Sequence, residues 1–78
     1  MNSDYVVRIL EVTKKDNNEC AAIKREKYFT AENNDEAIKE TGKVLKTFNY
    51  LNAILYKVTQ NDNKIKIAWW SDGKVEQA

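Results

Sequence analysis

Cys20 is the one thiol in the chain, and histidine is absent. Ser-His-Asp and Cys-His nucleophilic arrangements both need an imidazole to take the proton, so neither can be assembled. Cys20 has no CxxC partner, which removes a zinc site within one chain. Lys24 and Arg25 follow it closely enough to lower its pKa, but the plainer expectation is a small, semi-buried strand residue. Glu32, Asp35 and Glu36 form the densest carboxylate group, and helix capping accounts for them without acid–base or metal chemistry. Asp16-Asn17-Asn18-Glu19 and Asn61-Asp62-Asn63 lack the glycine and distal glutamate of a calcium loop. Gly42 and Gly73 are the only glycines, so no phosphate-cradling GxxxxGK[ST] or GxGxxG loop exists. We therefore expect no catalytic, metal or cofactor site, and not an enzyme.

What remains is binding chemistry, and Trp69-Trp70 carries it. Adjacent strand residues face opposite ways, so one indole packs inward and the other is free. Alternation groups Trp69 with Ile65 and Ile67, which makes Trp70 the candidate for exposure. An exposed tryptophan can be structural, can anchor a protein partner, or can stack on a base. Lys57, Lys64, Lys66 and Lys74 would supply charge for the last of these.

The elements that position these residues are legible. Asn33 to Phe48 reads as one amphipathic helix, with Asn33 as N-cap and Glu36 placed to complete a capping box. Ile38, Thr41, Gly42, Leu45 and Phe48 form its apolar stripe, widened by Ala37 and Val44. Asn49 suits a left-handed C-cap. Gly42 costs roughly 1 kcal/mol against alanine in a helix, which predicts close approach to a sheet beneath.

Tyr5 to Thr13 reads as a strand with Tyr5, Val7 and Ile9 on one face and Val6, Leu10 and Val12 on the other. Glu19 to Thr30 is a second strand, anchored by Ile23 and Phe29 and interrupted by Lys24 to Lys27, as an edge strand guarded by charge. Leu51 to Gln60 again carries two apolar faces: Ile54, Tyr56 and Val58, against Leu51, Ala53 and Leu55. Lys64 to Ser71 alternates, and after Asp72-Gly73 a short pairing at Val75 can follow. The prediction is an α+β fold, ββαββ, a single domain over residues 1–78. Its four-stranded antiparallel sheet has the order 2-1-3-4, with the helix on one face. Doubly apolar strands sit centrally, and lysine-bearing strands two and four form the edges.

One helix covers one face only, so the second face exposes an apolar set, and such a patch marks an interface. We assign partner binding to Trp70, Tyr5, Val7, Ile9, Lys64 and Lys66, with the partner either a second copy or a different protein. Thirteen basic and twelve acidic side chains give a net charge of +1, which weighs against a dedicated nucleic-acid binder. A nucleotide or single-stranded nucleic-acid binder using an exposed tryptophan and edge lysines is the alternative. No signal peptide or apolar run of membrane-spanning length is visible, and a lone cysteine suits a reducing compartment, so we expect a cytoplasmic protein. In size, Asn/Lys-rich composition and lack of catalytic residues the chain is similar in general character to small phage or mobile-element proteins, including anti-CRISPR-type inhibitors. That likeness implies a non-catalytic inhibitor that binds a larger host protein, with homodimerisation as a further expectation.

Overall fold

A long hairpin opens the fold. The computed structural model describes residues 2–78. Among them, β1 (Ser3–Lys15) and β2 (Asn18–Ala31) pair through a tight turn at Asp16-Asn17. Both turn residues have positive φ, 53° and 67°, the signature of a type I′ turn whose twist matches that of the strands. Next come α1 (Asn34–Thr47), β3 (Ala53–Val58), β4 (Lys64–Ser71) and β5 (Lys74–Gln77). All strand pairs are antiparallel, in the order β2-β1-β3-β4-β5.

The predicted order is thus recovered for its four strands, but the sheet is larger by one. Asp72-Gly73, with φ of 52° and 82°, makes a second turn of the I′ kind and folds Lys74–Gln77 back onto β4. β5 is therefore the edge, and β4 is an internal strand. β2 keeps its edge position, and its charged run lies exposed as expected.

The helix starts at the expected N-cap, but Glu36 closes one residue further out than a capping box would, on Glu32 and not on Asn33. The Asn33 side chain accepts from Glu36 N–H at 2.8 Å, while the Glu36 carboxylate reaches back to Glu32 N–H at 3.2 Å. At the other end Asn49 adopts φ 58°, and Tyr50 N–H donates to Leu45 C=O at 2.8 Å, the closure of a Schellman motif. Ala37, Thr41 and Leu45 are its buried residues. Phe48 departs from the expected stripe and is 57% exposed, because it is the C-cap residue and the helical repeat ends there. Gly42 corrects another expectation: a Cβ built there meets nothing within 4 Å, so no close approach to the sheet requires glycine.

The core lies between α1 and one sheet face. Tyr5, Val7 and Ile9 of β1 join Ala53 and Leu55 of β3 and Ala68 and Trp70 of β4. Tyr5 stacks on Phe29 with centroids 5.7 Å apart, and its hydroxyl donates to Asn34 Oδ1 at 2.8 Å. Burial pushes the Tyr5 phenol above its ordinary pKa, opposed by a hydrogen bond with Ser3 and reinforced by the Glu36 charge. Among the described residues, no helix is long and apolar enough to cross a membrane.

Candidate protein interface

Directly paired residues share a face, so the strand register fixes what the helix leaves uncovered. One row across the open face runs Tyr28–Val6–Tyr56–Lys66, from β2 to β4. The next runs Glu26–Arg8–Ile54–Trp69–Glu76 and reaches β5. A third runs Thr30–Asp4–Val58–Lys64. Val6 is fully buried although it faces outward, because Tyr28 and Tyr56 flank it on the neighbouring strands. Tyr28 itself is 58% exposed.

The site residues expected from sequence divide accordingly. Lys64 and Lys66 are exposed on the open face. Tyr5, Val7, Ile9 and Trp70 are corrected in placement: all four are buried beneath the helix, Trp70 at 7% exposure. For β1, the face alternation is right, but sequence could not say which face the helix takes. For the tryptophans, the alternation itself is interrupted. The β3–β4 register shifts between Leu55 and Tyr56, leaving Ile67 as an extra residue in β4. A bulge inverts the phase beyond it. Trp70 therefore pairs with Ala53 on the covered face, and Trp69 with Ile54 on the open one.

Trp69 is accordingly the tryptophan available to a partner, with Lys66 Nζ 4.7 Å from its ring centroid. The guanidinium of Arg8 lies 5.1 Å from the Tyr56 ring and donates to Glu26 at 2.7 Å. That charge-assisted bond raises the Arg8 pKa further, against a smaller opposing effect of desolvation. Cations thus sit beside two of the open-face rings, a contact that favours a planar, immobilised aromatic surface. Sequence reasoning missed Trp69, Tyr28 and Tyr56 as site residues. The usable signal for Tyr56 was its place with Ile54 and Val58; for Trp69 nothing short of the bulge would have sufficed.

The apolar stripe continues beyond the body of the sheet. β3 pairs with β1 only as far as Ile9, so the tip-ward parts of β1 and β2 pair with each other alone. A second register shift, with Lys24 as the extra residue, lies at the base of this two-stranded arm. Leu10 pairs with Ile23 and Val12 with Ala21 on the open-face side, and Ile23 is 58% exposed. Cys20 lies exposed on the arm, not semi-buried as expected, because no third element reaches it.

The helix side has a cleft of about 270 Å³ between α1 and β2, floored by Val7 and Phe29 and rimmed by Lys27, Glu36 and Glu40, and a wider groove of about 470 Å³ at the far end of α1, lined by Leu45, Lys46, Tyr50, Leu51 and Trp70. In the first, Glu36 is already engaged in capping; the second is lined by no carboxylate and by Lys46 as its one charged side chain. Among the described residues no group of three or more His, Cys, Asp or Glu side chains is placed to hold a metal ion. No protein-family model, curated protein or solved structure matches the chain.

Proposed function

We propose that this chain is a non-catalytic protein-binding module that engages another polypeptide through the open face of its sheet. The observation that carries the reading is the aromatic and apolar surface of Tyr28, Tyr56, Ile54, Val58 and Trp69, left without a covering element. Aromatic side chains on a rigid sheet are well suited to anchoring a partner, because little conformational entropy is lost when they are covered. Inhibition of the kind small phage and mobile-element proteins supply needs only such a surface, since occupying a site on a larger protein requires no chemistry.

Affinity capture from the cells that carry the protein tests the reading, with self-association followed by sedimentation. Trp69→Ala and Tyr56→Ala should each abolish both kinds of association, while Lys39→Ala on the solvent side of α1 leaves them intact. Identical capture and sedimentation for all variants, with the fold retained by circular dichroism, overturns it.

A second reading is favoured by one observation, the stacking of Lys66 on Trp69 with Lys64 on the same face. In that reading the pair holds a nucleotide or single-stranded nucleic acid. Asp4, Glu26 and Glu76 on the same face oppose a polyanion, which is why protein binding ranks first. Tryptophan emission that stays constant during a low-salt titration with oligonucleotides and nucleotides removes this alternative.

A further inference from the structure

The protein-binding reading leaves the occupant of the open face unspecified, and the distribution of side chains on that face narrows it. We infer that the occupant is a second copy of this chain, packed face to face about a twofold axis that runs along β3. The inference rests on that reading and names the partner for the same surface.

In an isologous interface, residues on the axis meet their own copies, and residues to either side meet those equally distant on the other side. β3 is the middle strand of the sheet, and on the open face it carries Ile54, Tyr56 and Val58, with no charge. Self-contact along this strand therefore buries apolar surface without opposing like charges. The axis sets β1 of one copy against β4 of the other. β1 presents Asp4, Val6 and Arg8, while β4 presents Lys64, Lys66 and Trp69, in matching rows. Asp4 then faces Lys64 of the partner subunit, and Arg8 faces the ring of Trp69 of the partner subunit. The first is an opposite-charge pair and the second a cation–π contact. Glu26 and Glu76 meet only towards the rim, where water and salt screen them and Arg8 already holds Glu26.

The size of the face fits a weak, reversible dimer. Four strands ~4.8 Å apart and about six residues deep, with a fifth strand of four residues, at ~3.3 Å per residue, present on the order of 450 Å² per copy. Two copies would then bury about 900 Å², in the range of transient associations below the ~1,200 Å² at which stable specific interfaces begin. The axis sets the arm of each copy past the end of β4 and β5 of the other, so the arm stays outside the contact.

Sedimentation equilibrium and light scattering on the full chain, with circular dichroism to verify the fold, decide the matter. The wild type should be a dimer at micromolar concentration. Ile54→Asp, which places two carboxylates on the axis, should give a folded monomer. Asp4→Lys and Lys64→Glu should each weaken the dimer at least tenfold at low salt, because each opposes like charges twice. An equimolar mixture of those two variants should recover it as a heterodimer, since both cross-copy pairs are then of opposite sign. A monomeric wild type overturns the inference, and so does a dimer that survives Ile54→Asp or a swap mixture that fails to recover. If the wild type is monomeric but Trp69→Ala still loses captured protein, the second copy is ruled out while the protein-binding reading stands. If neither association depends on the open face, both fall.

Discussion

The two faces of this sheet both carry aromatic and aliphatic side chains and have opposite fates. On β3, Leu55 is fully buried and Ile54, the residue before it, is partly exposed; on β4, Trp70 is buried and Trp69 is partly exposed. Charge separates them in part, since Asp4, Arg8, Lys64 and Lys66 share the open face with Val6, Ile54 and Tyr56. The covered face has a helix of fourteen residues above it, held at both ends by side-chain and backbone caps. The open face has rings with cations beside them and an Arg8–Glu26 ion pair towards the β2 edge. One chain thus divides its sheet into a covered face that serves stability and an open face that we propose for recognition.

The tryptophans give the largest contrast. Trp70→Ala should cost about 3–5 kcal/mol in urea unfolding, as removal of a core aromatic does. Trp69→Ala should cost the isolated subunit less, ~2 kcal/mol, since part of its surface is already wet. Equal costs would mean that the bulge at Ile67 does not separate them.

Within the covered face, Thr41 sharpens the comparison. It is 2% exposed, and its hydroxyl oxygen finds no hydrogen-bond partner among the described residues. Thr41→Val keeps the shape and removes an unsatisfied polar group, so a gain of ~1 kcal/mol is expected. A loss would show that the hydroxyl bonds to the preceding turn of the helix.

Gly42 is a smaller test of the same packing. With open space where an added methyl group would sit and an ordinary helical backbone, Gly42→Ala should stabilise by ~0.5–1 kcal/mol. Destabilisation, read from the urea midpoint, would restore the close approach that the sequence suggested.

Tyr5 should matter least at neutral pH and progressively more in alkali. Its folded pKa lies above the ordinary 10.0, so the unfolded chain loses the proton first. Above pH 10 the unfolded state binds fewer protons, and stability falls as pH rises towards the raised folded value. Below pH 10 the contribution is constant. Tyr5→Phe should flatten that alkaline decline; an unchanged slope from pH 9 to 11 would assign the decline to other groups.

Much of this molecule is local and therefore legible in the chain. Asn33 and Glu36 declare a helix start, Asn49 its end, and Asp72-Gly73 a turn, because each acts through hydrogen bonds or backbone preference within a few residues. The alternations of β1 and β3 followed from period two, and the placing of strands one and three at the centre followed from their two apolar faces. The fifth strand was visible only as a turn with Val75 after it, because a four-residue strand has too little pattern to declare itself.

Only the tertiary structure decided which apolar set the helix would cover. Asp4 and Arg8 weight the alternate set towards solvent, but Val6, Leu10 and Val12 leave it apolar enough to be covered, and the choice depends on where α1 docks. It also decided which tryptophan faces outward. One unpaired residue, Ile67, re-phases β4, and whether a strand carries such a residue is settled by pairing with β3 across the sheet, not by the strand's own sequence.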